Sequence, residues 1–105
     1  DPENRRFVFA YTITVSNISS EPVQLMNRYW RITDAEGKVE EVEGPGVVGK
    51  QPLIDPGQSF RYTSAAILTT PVGSMEGHYE FHRTAGESFL APIAPFSLSQ
   101  PNVVH

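Results

Sequence analysis

Residues 7–16, which read FVFAYTITVS, decide the fold of this chain, because large apolar side chains occupy every second position. A repeat of two is the spacing of a β-strand, whose successive side chains point to opposite faces of a sheet. The same alternation recurs in residues 59–66 and 75–82. No segment combines an apolar repeat of about 3.6 residues with helix caps, so the sequence predicts strands rather than helices.

The rest of the chain divides into further short strands separated by turns. Strands are predicted at residues 23–33, 38–43, 53–54 and 88–98, and turns at residues 17–22, 34–37, 55–58 and 84–87. Six or seven strands with turns about every 10 residues are typical of an antiparallel β-sandwich or barrel. The predicted fold class is therefore all-β, and a length of 105 residues fits one domain spanning residues 1–105.

Two of the predicted strands carry local irregularities. In residues 23–33, Leu25 and Trp30 would lie on opposite faces of a regular strand, so either both faces are covered or a bulge switches them. The last strand contains Pro92 and Pro95. Because proline cannot donate a hydrogen bond to a neighbouring strand, this strand is predicted to lie at a sheet edge or to be bulged.

The composition disfavours several functional classes. The chain has no cysteine, which rules out disulfides, thiolate zinc sites and cysteine nucleophiles and favours an intracellular, cytoplasmic location. A net charge of -4, with only 8 scattered Lys and Arg residues, argues against nucleic-acid binding. No apolar run approaches the roughly 20 residues that span a bilayer, so no membrane partner is expected. The glycosylation sequon at residues 17–19 is interpreted as a turn at the end of a strand.

Residues 44–49 read GPGVVG and match the G-x-G-x-x-G pattern, which cradles pyrophosphate when it joins a strand to a helix. The helix is missing here. Pro52, Pro56 and Gly57 follow too closely, and an interior proline costs a helix about 3 kcal/mol. The segment is therefore predicted to be a bend on a β-scaffold.

Two interpretations of this glycine segment remain open. In the first, backbone N–H groups form an anion site that nearby cations complete. Its candidate residues are Gly44, Gly46, Gly49 and Lys50, with Arg28 and Arg31 converging from the second strand. In the second, the segment is a wide connection between two sheets. Three glutamates within residues 40–43 directly precede it and would oppose a phosphate, which favours the second interpretation.

Other polar residues do not form a recognisable catalytic or metal site. His78, Glu80 and His82 share a strand face, but the two histidines would be about 13 Å apart, too far to share one metal. An exposed Trp30 between two arginines would suit protein recognition, whereas a buried Trp30 would fill the centre of a small sandwich; we expect it to be buried. No nucleophile motif occurs. We therefore predict that the chain is not an enzyme and uses no metal or cofactor.

Six segments together resemble the ApaG family. They are residues 9–14 (FAYTIT), 30–34 (WRITD), 44–52 (GPGVVGKQP), 60–64 (FRYTS), 73–77 (GSMEG) and 95–98 (PFSL). The resemblance covers nearly the whole chain and implies a fibronectin type III-like (immunoglobulin-like) β-sandwich. Bacterial members are small stand-alone proteins associated with cobalt resistance and magnesium efflux, and similar domains in eukaryotic proteins bind other proteins. The resemblance implies no enzymatic reaction, and it carries over Gly44, Gly46 and Gly49 as a phosphate-binding loop.

Two departures from the family pattern stand out. The family usually begins with a further strand ahead of residues 1–3, and this chain lacks it. If the strand is absent in solution, a sheet edge lies open, through which two copies could form a homodimer. If the sequence is simply cut there, nothing follows. Ala94 stands where the family commonly carries a second proline, which would loosen the last strand slightly.

The sequence thus predicts a non-enzymatic binding domain whose surface, glycine segment included, contacts a protein partner. The alternative is a domain that binds phosphate, pyrophosphate, a nucleotide or a divalent cation through that segment. A third and weaker hypothesis is a hydrolase that acts on phosphorylated compounds.

Overall fold

The computed structural model describes residues 6–99, which form seven β-strands and confirm the all-β prediction. The strands are β1 (Phe7–Ser16), β2 (Val23–Asp34), β3 (Val39–Pro45), β4 (Leu53–Ile54), β5 (Ser59–Leu68), β6 (Val72–Arg83) and β7 (Ser88–Ser99). Within this range there is no helix long and apolar enough to cross a membrane. The expectation of an open sheet edge concerns a strand ahead of residues 1–3, a region that lies outside the described residues.

The strands pair into two antiparallel sheets. β1 and β5 form a two-stranded sheet that runs from Phe7 opposite Leu68 to Ser16 opposite Ser59. The other sheet has five strands: β3, β2, β6 and β7 lie in that order, and β4 pairs with the start of β2 on the same side as β3. The predicted antiparallel sandwich is therefore confirmed.

The core lies between the two sheets, in two adjoining groups of buried side chains. One group joins Phe9 of β1 to Trp30 of β2, which is only 3% exposed, so the burial predicted for this tryptophan is confirmed. The other group contains Leu25, Tyr62 and Tyr79 and packs beside the first. Because each group draws on both sheets, the apolar faces of the alternating strands are buried against each other.

A β-bulge in β2 resolves the ambiguous register of that strand. The pairing of β2 with β6 shifts between Leu25 and Asn27, so that one extra residue, Met26, lies on β2. In a regular strand, Leu25 and Trp30 would lie on opposite faces, because they are an odd number of positions apart. The extra residue shifts this alternation, and both side chains are buried. Of the two alternatives left open by the sequence, the bulge is the one observed.

The last strand, β7, is both an edge strand and bulged. Among the described residues it pairs with β6 alone. Its register shifts where Ala94 and Pro95 together lie opposite Glu76 of β6. The prolines are accommodated because an edge strand needs partners on one side only.

Several strand boundaries differ from the prediction, and two of the differences involve glycine or proline. β3 continues through Gly44 and Pro45, which pair with β2. β6 begins at Val72, ahead of the alternation that starts at residue 75, because Gly73 pairs with Asp34 of β2. In both places pairing with a neighbouring strand extends the ladder through glycine and proline, which have a low intrinsic preference for strands.

Candidate functional site

The glycine loop, residues 44–50, leaves β3 and closes on itself in a tight hairpin. Val47 and Lys50 form a bridge in which each N–H donates to the other's carbonyl oxygen, at 2.8 and 2.9 Å. The two residues between them, Val48 and Gly49, have positive φ values of 44° and 79°. Positive φ at both central positions is the signature of a type I′ turn. No helix begins at the loop, and its geometry therefore differs from the strand-to-helix turn of dinucleotide sites.

Most N–H groups of the loop are already used by the protein. The Gly46 N–H donates to the carbonyl oxygen of Met26 in β2, at 2.8 Å, and those of Val47 and Lys50 close the hairpin. The N–H groups of Val48 and Gly49 at the tip of the loop donate to no backbone acceptor among the described residues. An anion at the loop would thus contact two free N–H donors rather than a concave anion site formed by successive backbone N–H groups.

Gly46 is required by the packing of the loop itself. Its φ is 60°, and a Cβ atom placed on it would come within 2.1 Å of the Lys50 carbonyl oxygen. No side chain fits at that separation, so only glycine allows the two backbone segments to approach. The central glycine of the G-x-G-x-x-G pattern is therefore explained by the hairpin without a ligand.

Arg28 reaches the glycine loop from β2, as the sequence predicts. Its Nη1 atom donates to the carbonyl oxygens of Pro45 and Gly46, both at 3.0 Å. Gly44 lies directly under this guanidinium, since a Cβ atom there would be 3.3 Å from Nη1. Arg28 thus clamps the loop backbone, and its charge faces carbonyl oxygens.

Arg31 does not converge on the loop. It lies three positions beyond Arg28 on β2, where strand alternation places it on the opposite face of the sheet. Its cross-strand neighbours there are Glu41 of β3 and Glu76 of β6. The structure therefore brings Arg28 to the loop and leaves Arg31 in an acidic environment.

The loop presents two side chains to solvent and anchors a third in the core. Val47 is 1% exposed and belongs to the buried group around Leu25. Val48 is half exposed at the tip, and Lys50 is exposed beside it. No sequence signal singled out Val48, because its unusual backbone conformation follows from the turn type, which strand periodicity does not specify.

The outward face of the five-stranded sheet carries the predicted polar cluster. Tyr29 stacks on His78 with ring centroids 5.0 Å apart, and its hydroxyl donates to the carboxylate of Glu41. That hydrogen bond raises the pKa of the Tyr29 hydroxyl. Asn27 Nδ2 donates to Glu80 Oε1 at 2.6 Å. Among residues 6–99, no three His, Asp or Glu side chains are arranged to hold a metal ion.

A shallow concavity of about 390 Å³ joins this polar face to the glycine loop. Tyr29 and His78 form its floor, Gly44 and Pro45 form one wall, and the exposed Leu90 forms another. Besides Tyr29 and His78, its ionisable groups are the carboxylates of Glu43 and Glu80 and the Arg28 that clamps the loop. The concavity therefore suits a cationic or neutral group better than a phosphate.

Comparison with known sequences gives a family match over most of the chain. The family model described as the ApaG domain matches residues 1–83. The chain is 55% identical over 104 residues to Protein ApaG of Acidithiobacillus ferrooxidans, covering 99% of this chain and 82% of that protein. It is 53% identical over 105 residues to Protein ApaG of Pseudomonas entomophila, covering 100% and 83% of the two chains.

Comparison with solved structures agrees with the fold. An X-ray structure from a structural genomics consortium superposes with a TM-score of 0.94 at 45% identity, covering 100% of this chain and 80% of that one. A crystal structure of a Bordetella pertussis protein described as ApaA gives a TM-score of 0.91 at 48% identity, covering 98% and 84%.

Proposed function

The chain belongs to the ApaG domain family, and we propose that it acts as a non-enzymatic binding domain for a protein partner. The observation that carries the proposal is Val48, an apolar side chain exposed at the tip of the glycine loop with a φ of 44°. A β-branched residue in this conformation is a genuine outlier, and such strain clusters at functional sites. Asn or Gly would form the same turn without that cost.

The loop is built to hold Val48 in a fixed position. The buried Val47 anchors one side of the turn, the bridge to Lys50 closes it, and the Arg28 guanidinium clamps the backbone behind it. An anchor that is rigid before binding loses little conformational entropy on association. An exposed apolar tip on a rigid support therefore suits insertion into a pocket of another protein.

The test is affinity capture from a lysate of the native host, with the wild-type protein and Val48→Asn immobilised in parallel. We expect a protein captured by the wild type to be lost from the variant, because Asn removes the apolar anchor while favouring the same turn. The captured protein is then produced recombinantly, and its dissociation constant for each form is measured by calorimetry. An increase of about tenfold or more is expected for the variant.

Val72→Asn is the matched control, because Val72 and Val48 are similarly exposed, at 47% and 49%, and receive the same change. A partner that binds all three forms equally would contradict the role of the loop. Equal loss in both variants would show that general surface apolarity, rather than the loop tip, is recognised.

The second candidate function is ligand binding through the glycine loop. The observation that favours it is the pair of N–H groups at Val48 and Gly49, which directly precede the exposed Lys50. Ligands of this class are phosphate, pyrophosphate, a nucleotide or a divalent cation bound with one. The carboxylates of β3 and the clamped guanidinium of Arg28 weigh against this candidate.

Calorimetry with pyrophosphate, ATP and diadenosine tetraphosphate, with and without Mg²⁺ or Co²⁺, tests this second candidate. Binding that Lys50→Ala abolishes and Lys38→Ala leaves unchanged would support it over the protein-binding function. No heat across the panel would remove it. Product release from the same compounds during incubation would contradict the non-enzymatic assignment.

We further propose that the partner acts in cobalt resistance and magnesium efflux, with which bacterial members of the family are associated, and that both proteins are cytoplasmic, which the cysteine-free chain suits. In a host strain that lacks the gene, the wild-type protein should restore growth on cobalt, and Val48→Asn should not. Full restoration by Val48→Asn would separate the loop from this process.

A further inference from the structure

The second feature that could recognise a partner is the outer edge of β3. β3 hydrogen-bonds to β2 along one side, and no strand among residues 6–99 pairs with its other side. An edge strand offers a row of backbone donors and acceptors to any extended segment that lies beside it. This edge runs directly into the glycine loop, so it borders the surface to which a function is proposed above.

The pairing pattern identifies which backbone groups are available. The N–H of Gly46 donates to the carbonyl oxygen of Met26, and the carbonyl oxygen of Lys38 accepts from the N–H of Asp34. The backbone N–H and C=O groups of even-numbered residues in β3 therefore point toward β2. By alternation, Val39, Glu41 and Glu43 direct their N–H and C=O groups away from β2. Pro45 ends the available edge, because it has no N–H and its carbonyl oxygen accepts from Arg28.

The side chains at these positions add a strong charge preference. Glu41 and Glu43 are exposed, and they project from the same sheet face as their cross-strand partners Arg31 and Tyr29. Within the described range, neither carboxylate forms an ion pair. A strand added at the edge would place its own side chains directly beside these two carboxylates on that face.

From this geometry we infer that the β3 edge binds an extended basic segment of the partner by strand addition. Lysine or arginine at positions i and i+2 of the segment pairs with Glu41 and Glu43, while the backbone of the segment pairs with the edge. The inference rests on the proposed protein-binding function and names the chemistry of the partner. A second copy of the chain does not fit, because pairing two β3 edges brings like carboxylates together.

The inner side of the edge fits the same kind of segment. Between β3 and β5 lies a groove of about 280 Å³, whose lining includes the apolar Val42, Ala65 and Ile67 and the charged Arg28 and Glu40. Alternate side chains of an added strand point into this groove, where small apolar residues contact its apolar part. The segment therefore reads as basic residues alternating with small apolar ones.

The probe for this inference is the synthetic peptide Thr-Lys-Val-Lys-Val-Lys-Thr, titrated into the folded protein and followed by heteronuclear NMR. We expect shift changes confined to β3, its neighbours in β2 and the groove. Amide hydrogen exchange should slow at Val39, Glu41 and Glu43, whose N–H groups gain acceptors, and stay unchanged at Glu40 and Val42. Slowing at all five positions or at none would overturn strand addition.

Three comparisons separate strand addition from simple charge attraction. A peptide of the same composition with its lysines contiguous should bind more weakly and leave exchange at β3 unchanged. The double variant Glu41→Lys/Glu43→Lys should weaken binding by about tenfold or more. Glu21→Lys/Glu87→Lys makes the same change of net charge in turns away from the edge and should bind the peptide almost as well as the wild type. Equal binding of both peptides, or equal loss in both double variants, would overturn the inference.

The peptide test of the β3 edge can fail independently of the test of the glycine loop. Val48→Asn leaves the β3 edge intact and should bind the peptide as the wild type does. If the peptide fails to bind while a captured partner still depends on Val48, the edge proposal is wrong and the loop proposal stands. If the peptide binds at the edge but no captured partner depends on Val48, the loop proposal is wrong and the edge proposal stands.

Discussion

Val48 combines a β-branched side chain with a left-handed backbone conformation, and the two conflict. Its φ of 44° brings the branched side chain toward its own backbone. The hydrogen bonds between Val47 and Lys50 hold the turn in place despite this strain. A residue kept in a poor conformation at an exposed tip is a candidate for selection by function rather than by stability.

The first prediction follows from this strain: Val48→Asn should stabilise the protein. The expected gain in the free energy of unfolding is about 1 kcal/mol, because asparagine tolerates the left-handed region. Urea denaturation followed by circular dichroism measures it. Val72→Asn, the same change in a strand, should give no gain. A destabilised Val48→Asn would mean that the side chain contributes packing that outweighs the strain.

Gly77 presents the opposite case, a glycine that no turn requires. It lies within β6 opposite Trp30, and a Cβ atom on it would come within 1.9 Å of the Tyr29 carbonyl oxygen. The backbones of β6 and β2 therefore approach more closely than any side chain at this position permits.

The second prediction is that Gly77→Ala destabilises the protein by about 3 kcal/mol or more, since the ladder beside Trp30 must shift. Gly57→Ala is a useful control, because Gly57 has a φ of 78° but open space around its Cβ position. That control should cost only about 1 kcal/mol, from backbone strain alone. Thermal and urea unfolding measure both; equal costs would exclude the close contact as the cause.

At the level of elements, the turn from β1 to β2 depends on one buried side chain. Asn17 is 6% exposed, and its Nδ2 atom donates to the carbonyl oxygens of Glu21 and Ile54, at 2.8 and 2.9 Å. Its Oδ1 atom accepts from both the N–H and the hydroxyl of Ser19. This one amide therefore ties β1, the turn and β4 together, in keeping with the interpretation of the sequon as a turn.

The third prediction is that Asn17→Ala costs about 2–3 kcal/mol, because the carbonyl oxygen of Ile54 stays buried without its donor. Asn17→Asp should also destabilise, since it keeps an acceptor and removes both donors. Ser20→Ala, an exposed change in the same turn, should have little effect. Urea unfolding compares the three variants, and tolerance of Asn17→Ala would show that water replaces the amide.

The sequence predicts strands well where one physical signal dominates. Alternation over residues 7–16 specifies a strand directly, and the prolines of β7 restrict that strand to a sheet edge or a bulge. The bulge at Met26 was anticipated only as one of two alternatives, because buried residues occur on both sides of β2. The start of β6 at Val72 depends on pairing partners distant in sequence, and no local pattern encodes it.

The candidate site is less predictable for the same reason. Glycine spacing located the loop, and the basic character of Arg28 suggested that it reaches the loop. The sheet face on which Arg31 lies depends on strand alternation relative to the loop, and the exposure of Val48 depends on the turn type. The availability of the β3 edge is a property of sheet order, which appears only when the whole set of pairings is known.

At the scale of the whole molecule, a hydrogen bond between two tyrosine hydroxyls joins the two sheets inside the core. The hydroxyls of Tyr62 in β5 and Tyr79 in β6 are 2.5 Å apart, and the two residues are 6% and 4% exposed. This buried polar contact helps to fix the position of one sheet relative to the other, because any sliding would leave a hydroxyl without a partner.

Burial raises the pKa of both hydroxyls above the usual value of tyrosine. In the unfolded chain each titrates near 10. Below that pH both states are protonated and the contribution of the pair to stability is complete. As the pH rises above about 10, the unfolded chain loses protons that the folded protein retains, so the free energy of unfolding falls, by at most about 1.4 kcal/mol per pH unit for each hydroxyl.

The fourth prediction is therefore that stability falls more steeply above pH 10 in the wild type than in Tyr62→Phe/Tyr79→Phe. Replacing both partners leaves no orphaned hydroxyl, so the double variant should fold and be of similar stability near neutral pH. Urea unfolding at intervals of pH on either side of 10 gives the two slopes, and titration of all remaining tyrosines and lysines is common to both proteins. Parallel slopes would mean that the pair ionises as easily in the folded protein as in the unfolded chain, which would require water to reach the interface between the sheets.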